Sequence, residues 1–430
     1  MKRKTKNANT TTEELNQSKH ERKSGNRIFP SKNLYKVLMI AMGLVGIGFM
    51  LIMMSVNIFP NDLTFVLIAI MMALIIVTSL LFGREKKGWR IAGIAVWLIF
   101  VILFSSVTYY LKSTYAMFEK INQGDLDASG VPAKNVSVTE ESFNIYITGI
   151  DQWAYEEGLD LERSDANMLL SVNPVTKKVL LTSIPRDSYV KLHTSQAMDK
   201  LTHSGIYGVE ETLTTVEDWL GVDINYYVKL NFTAVSDLIV AMDGIRVYSP
   251  VAFESSLKGY KYKKGWNTLS GRKALYFARE RKAFEGQDAI RVENQQRVVE
   301  AVIKKLTSST TLLTKYGDIM DVTGKNLTTN MSSDEMLELV KMQITELSEW
   351  DIESQKIEGE YGEDYVASLT QSQKFSVYRP SEDSVKKAVN NIDDVLSITE
   401  EEREEAERNR SKSFVVNLVK STVNTVKDTV

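Results

Sequence analysis

Charged side chains are missing from three runs near the start of the chain, residues 37–61, 63–83 and 91–111. At about 1.5 Å of rise per helical residue, each can cross about 30 Å of hydrocarbon. Three such runs within about eighty residues predict membrane-spanning helices; a cleaved leader would be shorter and single, and buried core helices would not cluster this way. Residues 112–141 read as a stalk, a helical turn or two and then a linker of Gly, Ser, Pro and Val. From Ser142 the pattern changes to short β-branched runs between turn residues, which predicts strands at 143–150, 166–172 and 178–184. Helical and strand spacings then mix: helices over 211–220, 233–242, 271–277, 288–306, 333–347 and 381–392, with strands over 226–230 and 245–248. The whole suits one α/β domain over 142–395.

The tail, 396–430, opens with a capping-box pattern, Ser397-x-x-Glu400, and an acidic stretch. It closes with Val415, Leu418, Val419, Thr422, Val423 and Val426 at helical spacing. Its β-branched residues make a weak isolated helix, so docking on its own domain or fraying is expected before membrane contact. The first 33 residues are polar, rich in Thr, Asn and Lys and without apolar periodicity, which reads as a disordered arm.

Charge supplies the orientation. The arm is basic (Lys2, Arg3, Lys4, Lys6, Arg22, Lys23, Arg27, Lys32, Lys36), and so is the segment from Arg84 to Arg90, whereas 57–62 has no basic residue. Positive-inside bias puts the arm and the second loop in the cytoplasm and, after three spans, everything beyond Lys112 outside the cell. Over 430 residues, 52 Lys and Arg stand against 55 Asp and Glu, a net charge of −3, which argues against a nucleic-acid partner. Cysteine is absent, excluding disulfides, thiolate metal sites and cysteine nucleophiles, and three histidines make a multi-histidine metal centre improbable.

Two groups of residues could carry chemistry. The turn at Asn173-Pro174-Val175-Thr176 makes 166–184 a hairpin, so Asp165 faces the level of Pro185 and Arg186. A strand ending at Ile150, parallel to 178–184, would bring Asp151 to the same edge and gather Asp151, Arg163, Asp165, Arg186 and Asp187 there. Solvated ion pairs explain such an edge, but open α/β sheets also bind ligands at strand ends. Neighbouring carboxylates invite a divalent cation, most naturally Mg²⁺ on oxygen ligands. The second group is Arg279-Glu280-Arg281 with Asp288, Arg291, Asn294 and Gln295. Asp288 reads well as a helix N-cap. Arg291 and Gln295 share a helical face that continues into Val298, Val299, Val302 and Leu306, and an arginine opening a buried stripe needs an anionic partner. Arginines and aspartates without a Ser-His-Asp or Cys-His pattern point to phosphate chemistry, because guanidinium forks match phosphate oxygens. His193 and His203 remain open as proton carriers or as structural residues.

Eight fragments in order, NIYITGID, RSDANMLLSVNP, LLTSIPRD, DKLTHSGIYG, TVEDWLGVDINYYVKLNF, LSGRKALYFARER, DAIRVENQQRVV and LTTNMS, resemble the LytR-CpsA-Psr family of Gram-positive envelope proteins, from about Phe143 to about Ile392. The resemblance implies a mixed-sheet α/β sandwich whose apolar interior receives an isoprenoid chain. It implies an extracytoplasmic phosphotransferase that moves a glycopolymer from a polyprenyl-pyrophosphate carrier to peptidoglycan as a phosphodiester. On matching positions, Asp151 and Asp165 would hold Mg²⁺, with Mn²⁺ as a substitute. Arg163, Arg186, Arg279, Arg281, Arg291 and Gln295 would grip the pyrophosphate, and Asp288 would orient or deprotonate the acceptor hydroxyl, with Arg279, Arg281 and Arg291 as its catalytic companions. The three-span anchor resembles capsule-type members more than single-span teichoic-acid ligases, so a capsule or related wall polysaccharide is the expected cargo. Capsule-export proteins and kinases are candidate partners on the cytoplasmic side. The chain departs from the family at Gln287-Asp288-Ala289-Ile290-Arg291, where relatives carry glycines, at Thr202 for a common Asn, and at Asn294 for a frequent Arg. Two other readings stay open: a non-catalytic membrane regulator sensing lipid-linked intermediates, and a polyprenyl-pyrophosphate phosphatase.

Overall fold

The computed structural model describes residues 32–56, 61–84, 86–123, 131–150, 164–256, 258–283, 287–308, 327–346, 348–369 and 372–410, with single positions between 311 and 322. It divides into two compact units, one holding residues up to 57 with 64–109 and the other holding 58–63 with 110–430.

The first unit contains α1 (Lys32–Val56), α2 (Asn61–Gly83) and most of α3 (Lys87–Gln123). Within them 34–51, 64–83 and 88–109 have mean hydropathy 2.0, 3.0 and 2.4, and most of their side chains face outward, as a lipid-embedded bundle requires. The helices meet through rings: Phe49 packs edge-on to Phe104 at 4.7 Å, and Tyr35 lies 4.9 Å from Phe82. The Trp97 indole donates to the Leu38 carbonyl at 2.9 Å. The Arg90 guanidinium lies 5.5 Å from the Tyr35 ring, so the basic α2–α3 loop and the basic start of α1 share one end of the bundle. The first apolar run is cut short, since α1 ends at Val56, before Pro60, and 57–60 lie outside the described residues. Helix α3 continues through Gln123, beyond the turn or two expected of the stalk.

The second unit runs through β1 (Phe143–Ile150), β2 (Ser164–Asn173), β3 (Lys178–Ile184), β4 (Tyr189–Lys191), β5 (Met198–Lys200), α4 (Leu201–Ser204), α5 (Val209–Leu220), β6 (Tyr226–Asn231), α6 (Phe232–Ala241), β7 (Ile245–Ser249), β8 (Phe253–Glu254), β9 (Lys261–Tyr262), β10 (Gly265–Leu269) and α7 (Gly271–Arg279). It continues with α8 (Gln287–Leu306), β11 (Leu327–Thr329), α9 (Ser333–Glu346), β12 (Asp351–Lys356), β13 (Gly359–Asp364), β14 (Phe375–Pro380), α10 (Glu382–Leu396) and α11 (Glu400–Arg410). Six strands form a mixed sheet in the order β11-β6-β1-β2-β3-β12. β1 runs antiparallel to β2 and parallel to β6, and β3 runs antiparallel to β2 and parallel to β12.

Alternate side chains of the central strands serve opposite cores. On one face Tyr146, Leu169 and Leu180 join Leu213 and Val216 of α5 and Ala388 and Ile392 of α10. On the other, Met168, Leu170, Val179 and Leu181 meet Val299 and Ile303 of α8 and Met336 and Leu339 of α9. Strands buried on both faces read as near-continuous apolar runs, and the helices close an α/β sandwich. A third core, with Ile245, Val247, Leu269, Phe277 and Val298, seats the β7/β10 ribbon on α6, α7 and α8.

The hairpin turn is set by Asn173, whose Oδ1 accepts from the amides of Val175 and Thr176 at 3.1 and 3.0 Å. Helix α10 is capped by Ser381, whose hydroxyl accepts from the Ser384 amide. The expected capping box lies two residues further on. Thr399 and Glu402 exchange the reciprocal bonds, while the Ser397 hydroxyl donates to the Asp394 carbonyl at the end of α10 and is unavailable to the next helix. Residues 411–430, with the expected amphipathic segment, lie outside the described residues, as does the arm before Lys32.

Gly271 sets the approach of α7 to α6. A Cβ there would stand 2.0 Å from the Ser236 carbonyl oxygen. Gly271→Ala is therefore expected to push α7 off α6 at a cost of about 1–3 kcal/mol, read as a lowered Tm; an unchanged Tm would show that the two helices slide apart freely.

Candidate active site

The sheet end that receives β1 and leads into β2 is irregular. Gly149 pairs with Ala166 but Ile150 pairs with Ser164, so Asp165 is the extra residue of a bulge. Gly149 is close-fitted there, as a Cβ would lie 3.1 Å from that of Ala166. In the neighbouring hairpin Asn167 pairs with Ile184, which carries position 165 to the level of Arg186, as the sequence predicts. Asp151 and Arg163 lie outside the described residues, and only the backbone of Asp165 is described. Beneath this end Tyr146, Thr148, Ser164 and Asn167 form a buried polar cluster. The Tyr146 hydroxyl donates to Asn167 Oδ1 at 2.7 Å, the Thr148 and Ser164 hydroxyls lie 2.6 Å apart, and Ser164 also bonds Asn167. Burial pushes the Tyr146 phenol far above its ordinary range, so it acts as a fixed donor.

Arg186 follows β3 in a loop tied down from several sides. Its Nε lies 3.5 Å from the Asp187 carboxylate, which also meets Lys200 Nζ at 3.3 Å. The Arg186 carbonyl accepts from the Thr202 amide, that of Ser188 from Leu201, and that of Asp187 from Tyr378, each at 2.8 Å. Behind this loop sits Asp199, fully buried, accepting from the amides of Lys200 and Ser368 at 2.7 Å and lying 2.7 Å from His203 Nδ1. The Ser368 hydroxyl also contacts His203 Nδ1, at 2.8 Å. Ser368, His203 and Asp199 therefore meet, but both partners converge on one ring nitrogen in a buried pocket, which is a clamp and not a serine-activating relay. Burial would raise the Asp199 carboxyl, yet the hydrogen bonds from His203, Ser368 and the Lys200 amide outweigh it and hold it below the usual carboxylate range. His193, by contrast, sits at the surface 2.6 Å from Asp218.

In the second group Arg279 is the last residue of α7, its guanidinium 5.6 Å from the Phe232 ring. Glu280 is completely buried and accepts from the amides of Ser256, Arg281 and Ala283 and from the Ser256 hydroxyl. Burial opposes its ionisation, but these bonds win and hold its carboxyl below the ordinary range. Glu280 thus anchors the loop that displays Arg279 and Arg281, a role that charge pattern alone leaves hidden. Helix α8 begins at Gln287, so Asp288 falls inside the first turn and not at the N-cap; its side chain is not among those described. Arg291, Asn294 and Gln295 are all buried on α8. Asn294 Oδ1 accepts from Arg297, while its Nδ2 has no hydrogen-bond partner among the described residues.

A cavity of about 60 Å³, almost wholly apolar, lies between the sheet end at Gly149 and Ala166 and the helices α6, α7 and α8. Ile147, Thr148, Gly149, Ala166 and Met168 supply its sheet wall; Phe232, Val235, Ala274, Leu275, Ala278, Val298 and Val299 supply its helical wall, with Gln295 beside them. The structure thereby brings Gln295, the helix that carries Arg279 through Ala278, the start of α6 at Phe232, and the bulge of Asp165 to one pocket. Among the described residues Gln295 alone of the expected site residues is in its lining; Arg186, Arg279, Arg281 and Arg291 do not line it. A polar cleft around Tyr207, Glu210 and Glu211 holds His193 but none of the arginines, aspartates or Gln295 expected at the site. Among the described residues no three Asp, Glu or His side chains cluster as metal ligands.

The LytR_cpsA_psr family model matches residues 107–394. The chain belongs to this family. Among its LytR_cpsA_psr relatives, the polyisoprenyl-teichoic acid–peptidoglycan teichoic acid transferase TagU of Bacillus licheniformis is 34% identical over 262 residues, 60% of this chain and 82% of that protein. Of solved structures, TagV of Bacillus subtilis superposes with a TM-score of 0.51 at 27% identity, covering 60% of this chain and 99% of that one. TagT bound to LIIa-WTA gives 0.50 at 28%, covering 63% and 98%. The sandwich is therefore the LytR_cpsA_psr fold, and the apolar helices add a candidate three-helix membrane anchor.

Proposed function

We propose that this protein is a membrane-anchored phosphotransferase that moves a glycopolymer from a polyprenyl-pyrophosphate carrier to a peptidoglycan hydroxyl. The apolar cavity flanked by Gln295 and by the Arg279 and Asp165 positions carries this reading, because it sets a lipid-compatible wall beside groups suited to a pyrophosphate. The acceptor oxygen attacks the phosphorus bearing the sugar, its proton passes to Asp288, and the bond to the lipid phosphate breaks, so polyprenyl phosphate leaves. Arg279, Arg281, Arg291, Arg186, Arg163 and Gln295 hold the oxygens through guanidinium forks and an amide, and positioning with electrostatics supplies most of the acceleration. The cavity is too narrow for a long isoprenoid as it stands, so α6, α7 and α8 are expected to move off the sheet when one enters.

Mg²⁺, or Mn²⁺ in its place, fits the donor chemistry. Asp165 is the extra residue of a bulge beside Ile150, Asp151 comes next to Ile150 in the sequence, and hard carboxylate oxygens from the two would suit such a cation. When bound it would neutralise charge on the pyrophosphate. Asp165→Asn is expected to raise the Mg²⁺ concentration for half-maximal transfer by at least tenfold, and chelation to abolish turnover; full activity in chelator would remove the metal from the scheme.

The relatives' names make teichoic acid the first cargo to test, and the three-span anchor makes capsule polysaccharide the second. The shared basic end of α1 and the α2–α3 loop supports a cytoplasmic arm and an outer catalytic unit, with capsule-export proteins or kinases as cytoplasmic partners. The deciding experiment incubates the purified full chain with a defined polyprenyl-pyrophosphate saccharide, Mg²⁺ and peptidoglycan oligomers. A phosphodiester product with polyprenyl phosphate is expected; inorganic phosphate alone would identify a phosphatase, and no turnover by an intact protein would favour a regulator.

A further inference from the structure

The β7/β10 ribbon turns one side inward to the third core and leaves the other open. Pairing of Trp266 with Tyr248 and of Thr268 with Arg246 puts those four side chains on the outward face, since strand side chains alternate. Tyr248 and Trp266 are 46% and 52% exposed although their rings touch edge-on at 5.5 Å, and the Arg246 guanidinium lies 5.2 Å from the Trp266 ring. Val251, just beyond β7, is 45% exposed. The surrounding charge is mainly positive, and its one acid, Glu254, lies 3.7 Å from Lys261. Between Gly244 and Lys273 the sequence has seven bases, Arg246, Lys258, Lys261, Lys263, Lys264, Arg272 and Lys273, against one acid, Glu254. All seven are exposed. That excess is local, in a chain whose net charge is −3.

We propose that the outward face of the β7/β10 ribbon, with Tyr248, Trp266 and Val251 amid Lys258, Lys261, Lys263 and Lys264, docks on the anionic surface of a lipid bilayer. Tyr and Trp settle at the headgroup level because each joins an apolar ring to a polar tip, and exposed lysines add attraction to anionic headgroups. Exposed rings set among basic residues suit the headgroup layer of an anionic bilayer, and an anionic glycopolymer on the same face is an outcome that the labelling experiment distinguishes. The ribbon rests on α7 and α8, whose Ala274, Ala278 and Val298 also line the apolar cavity, so docking would hold the helical wall of that cavity at the lipid surface.

The absence of cysteine makes a clean test available. Tyr248→Cys in the full chain carries a spin label, and Tyr361→Cys, on the exposed face of β13, carries the reference label. Both are reconstituted in nanodiscs of phosphatidylglycerol or of phosphatidylcholine, without substrate. Relaxation by oxygen, which prefers lipid, is compared with relaxation by a water-soluble nickel complex. The label at 248 is expected to be lipid-like in phosphatidylglycerol discs, and that at 361 aqueous in both. Changing Lys261, Lys263 and Lys264 to Gln should lower the docked-to-free ratio by about fivefold per lysine. An aqueous label at 248 in phosphatidylglycerol overturns the proposal. So does a label shielded from both phases, which marks a protein or glycan contact, or one indifferent to lipid charge and to the lysines. Transfer activity is measured separately, so loss of docking and loss of catalysis are told apart.

Discussion

Arg279→Ala is expected to lower kcat/KM for transfer from a lipid pyrophosphate by about a hundredfold to a thousandfold, with Tm nearly unchanged. The expectation rests on placement. Arg279 closes α7 next to Ala278, which lines the cavity, and its guanidinium lies near the Phe232 ring, which lines it too. A guanidinium held at that rim can meet two phosphate oxygens at once, and charge that develops on them in the transition state is where such a fork contributes most. Arg279→Lys should recover only part of the loss, because an ammonium is a point charge without the planar fork. The residue is only partly buried, so its removal leaves no cavity in the core. Single-turnover rates on a defined lipid-pyrophosphate saccharide are the measurement. Activity within threefold of the parent in Arg279→Ala would remove this residue from the site.

Asp199→Ala is expected to destabilise the segment from Lys200 to Thr202 by about 3–5 kcal/mol. Two amides and an imidazole nitrogen point at this buried carboxylate, and alanine would leave them unpaired where water cannot reach. Hydrogen exchange at the amides of Leu201, Thr202 and Ser368 should accelerate by several hundredfold or more. Because Leu201 and Thr202 donate to the Ser188 and Arg186 carbonyls, the Arg186 loop should loosen with them. The contribution has a definite pH dependence. The folded Asp199 carboxyl titrates below its unfolded value, so its stabilisation is complete above the usual carboxylate range, near pH 4, and fades as pH falls through the lowered value. Parent and variant should thus converge in acid. A difference that stayed constant down to pH 2 would contradict the assigned role.

Much of the architecture could be read from periodicity. The three apolar runs became α1 to α3, and the β-branched runs became β1, β2 and β3 with the hairpin register expected from the turn at Asn173. Periodicity does not mark the strand β12, sequence DIESQK. It pairs at the sheet edge with β3 and shows mostly partly exposed side chains, so nothing in its hydrophobic pattern marks it. Pairing alone defines it. β4, β5, β8, β9, β10, β11, β13 and β14 are likewise absent from the sequence expectations. In the site, arginines and Gln295 stood out by charge and helical spacing. Asp199 and Glu280 did not, because an acid that binds its own neighbouring amides looks in a sequence like any surface acid. His203 has Asp199 four residues away, but the fold alone brings Ser368 to it from a distant segment.

The sequence by itself determined which segments are long and apolar enough to cross hydrocarbon and which strands form the sheet centre, because those depend on local hydrophobic spacing that every residue in the run shares. It also determined which residues could grip a phosphate, since charge and fork geometry belong to the side chain. Only the tertiary structure decided that the strand end at Gly149 and Ala166, the end of α7 and the buried face of α8 close on one apolar cavity. Such a meeting depends on contacts between segments far apart in the chain, and no local pattern records them.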